Sequence, residues 1–192
     1  MADFNKAFEK TQSIEGGYVN DPSDAGGETW RGISRRFHPS WAGWAIIDME
    51  KRAGLEGLNE RLAGNRLLDE VERQFYREQF WNRINGDAIP LQSIADEVYD
   101  TAVNVGVHRA VGFLQGALNL LNRDEKNYPD ILEDGACGPK TLYTLREHLA
   151  HEKGDPTILL KVMNTLQGMH YVDVMRRFPE QERYARGWFR RA

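Results

Sequence analysis

Outside one glycine-rich stretch, apolar residues recur along this chain at helical spacing, and no other run alternates apolar with polar as a half-buried strand does. A chain of 192 residues patterned in this way is confined to packed helices. Phe4, Ala7, Phe8 and Thr11 share one side of a first helix that Asp3 caps and Gly16-Gly17 stops. The pattern resumes at Gly32-Ile33 and predicts a helix towards Phe37, ended by His38-Pro39. A third helix covers Trp41 to Ala53, with Trp44, Ile46 and Ile47 inside, and Leu55 to Gly64 is short and broken. Asn65 starts a long helix whose inward face is Leu67, Leu68, Val71, Phe75 and Phe80, and Gly86-Asp87 with Pro90 turns the chain. Helices over Leu91–Val105 and Arg109–Leu121 meet at Gly106-Val107-His108. Pro139 suits a helix start, Pro156 opens a helix with a Leu and Met stripe reaching Met175, and Gln181–Arg191 forms a last short one. The expected fold class is all-α, with at most a small β-hairpin through Tyr18-Val19 and Thr29-Trp30.

The exception to the helical pattern runs from Ile14 to Ile33: I-E-G-G-Y-V-N-D-P-S-D-A-G-G-E-T-W-R-G-I. It places Glu15, Asp21, Asp24 and Glu28 on a backbone with five glycines. Glu15 follows a helix, and the carbonyls at a helix C-terminus disfavour negative charge and so favour a protonated carboxyl. Cleaving a glycosidic bond needs such a proton for the leaving oxygen, and a carboxylate or an activated water on the other side of the sugar. A glutamate with a pKa of about 4.3 is protonated in only roughly one molecule in 500 at pH 7. Raised to about 6, it is protonated in roughly one in ten. Glu15 is the candidate acid, with Tyr18 and Trp30 as the apolar rings beside it. Asp24, followed by a glycine pair, stays ionised, and Thr29 orients a water. The same residues would also serve a plain surface loop with an Asx turn at Asp21.

Other chemistries find little support. Histidines stand at 38, 108, 148, 151 and 170, none in an H-E-x-x-H pattern, so neither metal nor cofactor is expected. Cys137 is the only cysteine, which excludes an internal disulfide, and no base is marked out for it as a nucleophile. A net charge of −4 argues against a general nucleic-acid partner. The stretch from Arg176 to Ala192 nevertheless has six Arg against Glu180 and Glu182, a surface suited to an anionic polymer or simply a solvated helix. No run approaches the ~18 apolar residues of a membrane span, so no membrane insertion is expected. The first ten residues lack an apolar signal core, so the expectation is cytoplasmic synthesis without a signal peptide. Sugar-stacking candidates come from the aromatics, Tyr18 and Trp30 first, then Trp81 in F-W-N-R at a helix end.

Together these residues resemble glycoside hydrolase family 108, the peptidoglycan muramidases of phages, prophages and some bacteria. The resemblance rests on Glu15-Gly16-Gly17-Tyr18, Asn20-Asp21-Pro22, Asp24, Gly26-Gly27, Thr29 and Gly32-Ile33-Ser34. In the second half it rests on A-V-N-V-G-V-H-R-A-V-G-F-L-Q (Ala102–Gln115), D-G-A-C-G-P-K-T (Asp134–Thr141) and R-G-W-F-R-R (Arg186–Arg191). It implies a lysozyme-like fold, with a catalytic region over 1–92 and a peptidoglycan-binding helical region over 93–192 packed into the same body. It further implies Glu15, Asp24 and Thr29 as catalytic residues, and Tyr18, Trp30, Trp81 and Asn104 as substrate contacts. The spacing also resembles that of phage lysozymes, with four residues rather than five between Asp24 and Thr29. The implied reaction is cleavage of the β-1,4 bond between N-acetylmuramic acid and N-acetylglucosamine. Inversion is the expected outcome, which calls for carboxyls ~6.5–9.5 Å apart rather than ~5–5.5 Å. The implied partners are bacterial peptidoglycan and a holin or export factor for release to the periplasm or cell wall, with the chain a monomer. Two rivals remain at this point: a lytic transglycosylase on the same bond, and a non-catalytic wall-binding or secretion-helper protein.

Overall fold

The computed structural model describes residues 1–12, 16–20 and 27–190. They form helices α1 (Phe4–Gln12), α2 (Gly43–Arg52), α3 (Leu58–Ala63), α4 (Arg66–Tyr76), α5 (Gln92–Val105), α6 (Val107–Leu121), α7 (Pro139–His151), α8 (Thr157–Arg177) and α9 (Ala185–Trp188). One small antiparallel sheet joins β1 (Tyr18–Asn20), β2 (Glu28–Trp30) and β3 (Ile33–Ser34), in that order. The all-α expectation with a small hairpin holds, extended by a third short strand. The chain divides into two compact units, Phe8–Gln79 and Met1–Ala7 with Phe80–Ala192.

In the Phe8–Gln79 unit, Asn65 caps α4 as expected, its Oδ1 accepting the Leu68 N–H at 3.2 Å. The buried line along α4 is Leu68, Glu72 and Tyr76. Leu67, expected inside, is 60% exposed, because the next residue of a helix points about 100° away from the buried one. Trp44 and Ile47 of α2 are buried as expected.

The helix predicted from Gly32 to Phe37 does not form. Ile33 and Ser34 instead pair with β2, Trp30 opposite Ile33 and Thr29 opposite Ser34. Arg31 and Gly32 join the strands with φ of +38° and +84°. A two-residue hairpin turn with both φ positive follows the natural twist of the strands it joins. Glycine takes that conformation freely, whereas arginine has to be held in it. The first hairpin has the expected partners, Tyr18 opposite Trp30 and Val19 opposite Thr29.

The other unit gathers the chain's first residues with the C-terminal helices. The Ala2 N–H donates to the Ile89 carbonyl (3.2 Å) and the Asp3 N–H to Gln92 Oε1 (2.7 Å). Phe4 meets Trp81 and Tyr99 edge to face, with ring centroids 5.7 and 6.0 Å apart. The boundary expected at 92–93 therefore falls inside this unit. Helix α6 buries Ala110, Val111, Leu114, Ala117 and Leu118. It also buries Gln115, whose Nε2 donates to Asp134 Oδ1 (2.8 Å) and Thr141 Oγ1 (3.0 Å) and whose Oε1 accepts the Gly135 N–H (2.8 Å). One amide thus fixes the D-G-A-C-G-P loop ahead of Pro139, where α7 starts. In that loop Cys137 is 3% exposed, and burial pushes its thiol pKa up to about 11.

Along α8 the buried line is Leu159, Met163, Gln167 and Tyr171, whereas Met169, expected inside, is 58% exposed. The single helix expected over Gln181–Arg191 is a 3-10 segment, Pro179–Tyr184, followed by α9. Replacing Gln115 with leucine strands the buried Gly135 N–H, while the Thr141 hydroxyl keeps its bond to the Ala136 carbonyl (3.2 Å). The expected loss is about 1–3 kcal/mol in denaturant unfolding, against near zero were the amide incidental.

Candidate functional site

The hairpin brings Tyr18, Glu28, Thr29 and Trp30 onto adjoining strands. Glu28 is the hub. Its Oε1 accepts from the Tyr18 hydroxyl (2.6 Å) and the Lys51 ammonium (2.5 Å), and its Oε2 accepts from Arg35 (2.8 Å). Arg35 also grips Asp48 with both Nη atoms at 2.7 Å and lies over the Trp44 ring, 5.3 Å from its centroid. Burial works to raise the Glu28 pKa, but the bonds from Lys51, Tyr18 and Arg35 outweigh it and hold the carboxyl below its ordinary value. Glu28 is therefore an ionised clasp rather than a proton donor. On Tyr18, burial and then the Glu28 carboxylate raise the phenol, and the Lys51 ammonium sits 5.6 Å from the ring centroid.

The strand entering this clasp passes close to α3. The Tyr18 N–H donates to Asn59 Oδ1 (2.7 Å), and a Cβ on Gly17 would push that same amide aside. Thr29 is half-buried, and its hydroxyl donates to the Gly27 carbonyl at 3.2 Å. Its lone pairs remain able to accept from a water.

Glu72 on α4 went unnoticed in the sequence. It is 0% exposed, and its Oε2 accepts the Trp30 indole N–H (2.8 Å) and one Arg31 N–H (3.4 Å). The Tyr76 hydroxyl donates to the Arg31 carbonyl at 2.6 Å. Two residues one helical turn apart thus hold the β2–β3 turn, Glu72 by the side chains of Trp30 and Arg31 and Tyr76 by the Arg31 carbonyl. Burial raises the Glu72 pKa, against the lowering pull of Trp30 and Arg31. The signal was present: Glu72 lies in phase with Leu68 and Tyr76, the apolar line of its helix.

Of the other site residues expected from sequence, Glu15 and Asp24 lie outside the described residues, as does Asp21. Trp30 is 1% exposed and Trp81 0%, with the Trp81 indole N–H on Asp87 Oδ1 (2.8 Å). A sugar stacks only on an exposed ring face, so the stacking role expected of both is corrected: each is core. Asn104 is half-buried in the last turn of α5, in the unit that does not contain the sheet. Among the described residues no cluster of three metal-ligating side chains occurs.

Two pH responses follow. A carboxyl with a lowered folded pKa contributes stability above the ordinary carboxylate range and loses it as pH falls through the lowered value. Glu28→Gln should therefore destabilise at pH 7, with the gap to wild type closing as melts are run towards pH 3. Glu72, with its pKa raised, favours folding while protonated and loses that contribution as pH rises. Glu72→Gln should gain thermal midpoint relative to wild type between pH 4 and pH 8, and a gap that narrows with pH would contradict the burial cause.

Comparison with known families places these features. The family model described as Glycosyl hydrolase 108 matches residues 8–106, and the one described as Predicted Peptidoglycan domain matches residues 109–192. The first match spans the acid-bearing stretch and the whole sheet. Among solved structures, one described as Brucella abortus SagA is similar, with 25% identity and a TM-score of 0.61 over 98% of this chain and 88% of that one. The mostly helical architecture with its small sheet agrees with the lysozyme-like fold expected. No curated protein matches the chain.

Proposed function

This chain belongs to glycosyl hydrolase family 108, and on that premise we propose that it is a peptidoglycan muramidase with Glu15 as its general acid. The bond cleaved is the β-1,4 link from N-acetylmuramic acid to N-acetylglucosamine. The observation that carries the reading is the match over residues 8–106, which takes in every residue from Glu15 to Ser34, joined to a peptidoglycan-domain match over the remainder.

The geometry around the sheet supports Glu15 by narrowing the field. Glu28 and Asp48 are held as anions by Lys51 and Arg35, and Glu72 has no surface from which to reach a sugar. None of these three can hand a proton to a leaving oxygen. Glu15 follows α1 by three residues, and Asp24 lies in the connection between β1 and β2. In the proposed mechanism Glu15 protonates the glycosidic oxygen as the bond to the muramic acid carbon breaks. Asp24 holds or activates the attacking water and offsets the oxocarbenium-like charge, while Thr29 accepts a hydrogen bond from that water. The clasp at Glu28 keeps β1 and β2, which flank Asp24, in fixed register.

Glu15→Gln should retain the wild-type circular dichroism and melt but lose wall lysis by at least roughly a hundredfold in a zymogram. Near-normal lysis by that variant would overturn the assignment. Mass spectrometry of released muropeptides should show hydrated reducing ends, and 1,6-anhydro ends would replace hydrolysis by transglycosylation.

A further inference from the structure

Helix α6 has a second open face, away from its buried line. There half-buried Gly112 lines a groove of about 880 Å³ formed wholly within the unit of the C-terminal helices, and Gly116, one turn on, is buried where the Glu133 carboxylate closes over it. A Cβ built on Gly112 meets nothing within 4 Å, so the floor there is bare backbone bordered by free space. Phe113, Leu120 and Leu166 supply apolar lining, and the groove has the size of a small-ligand site. Its polar groups are of both signs. Arg83, His108 and Arg109 line it together with Glu133. Arg83 and Arg109 are exposed and form no ion pair among the described residues, and Arg109 directs one N–H to the Val105 carbonyl at 3.3 Å. Glu133 is aimed rather than loose: its Oε1 accepts from Asn119 Nδ2 at 3.1 Å, and its Oε2 lies 3.3 Å from where a Gly116 Cβ would be.

We propose that this groove binds the peptide stem of peptidoglycan, a short peptide bearing free carboxylates and one free amine. The cations at Arg83 and Arg109 match the carboxylates, and guanidinium groups pair with carboxylate oxygens in two-pronged fashion. Glu133 matches the amine. The side-chain-free floor at Gly112 admits a peptide backbone, and the apolar lining takes alanine methyls and the methylenes of a diamino acid. A bare glycan chain, with neither carboxylate nor amine on most of its surface, leaves both charges without a counterpart. The acetylated sugars of the cleaved bond are thus expected elsewhere, and this groove adds recognition of the cross-linking arm. The proposal rests on the reading of peptidoglycan as substrate.

The test uses the full chain and two probes. One is a synthetic stem tetrapeptide with a diamino acid at its third position, and the other is an N-acetylglucosamine oligomer without peptide. In calorimetric titration the tetrapeptide should bind, and Arg83→Ala, Arg109→Ala and Gly112→Leu should each weaken it by roughly tenfold, the effect of one charge-assisted bond or a blocked floor. Gly112→Leu replaces a helical glycine facing open space, so a retained thermal midpoint shows that its loss of binding is local. No tetrapeptide binding, unchanged affinity in all three variants, or displacement of the tetrapeptide by the oligomer would overturn the proposal. Cleavage of peptide-free glycan strands by wild type separates the two readings. Cleavage without tetrapeptide binding sinks the groove alone, whereas binding that responds to the variants without any cleavage sinks the hydrolase reading.

Discussion

The sheet of this protein depends on one carboxylate that is not free to do chemistry. Glu28 draws a phenol, an ammonium and a guanidinium onto its two oxygens, and each donor comes from a different part of the chain. Strands of three residues hold too few ladder bonds to keep a register by themselves. Charge-assisted bonds to a part-buried anion supply what the ladder lacks. The two ends of the connection that contains Asp24 are fixed by the same contact, so the acids of this stretch can be supported by a framework whose own charges are already neutralised. Arg35 and Lys51 balance Glu28 and Asp48 one for one, which leaves little net field from the clasp to disturb a neighbouring carboxyl.

The second support is of a different kind. Glu72 is buried with a neutralising tendency of its own, and it holds Trp30 and Arg31 from below while Tyr76 holds the Arg31 carbonyl. A positive φ at a residue with a Cβ persists only where its surroundings impose it. Helix α4 imposes it here with two side chains on one stripe. A segment that the local sequence would make helical is thereby turned into strand.

That override marks the limit of what the sequence could disclose. Helix starts at Asn65, Pro139 and Pro156 were legible because capping and proline chemistry act within a few residues. The apolar side of α1 was legible because four residues at helical spacing agree. The stretch after Gly32 was misread because its fate is set by Glu72 and Tyr76, some forty positions away. Trp30 and Trp81 were misassigned because an indole that fills a core and one that faces a sugar have the same composition signal. Glu72 was missed although its phase gave it away, since a charged residue among Leu68, Val71 and Tyr76 reads as a surface residue until the helix is wound. The glycine-rich acid stretch, by contrast, was recognisable from its residues as a family signature, well before any account of how its clasp works.

Cys137 has a consequence of another kind. Its thiol is sealed in the loop that Gln115 ties down, and burial keeps it from ionising near neutral pH. A thiol in that state is a poor nucleophile and a poor target for oxidants. With no second cysteine in the sequence, the native fold contains no redox-dependent bond of its own. A change from reducing to oxidising conditions therefore offers this chain no internal disulfide to make or break.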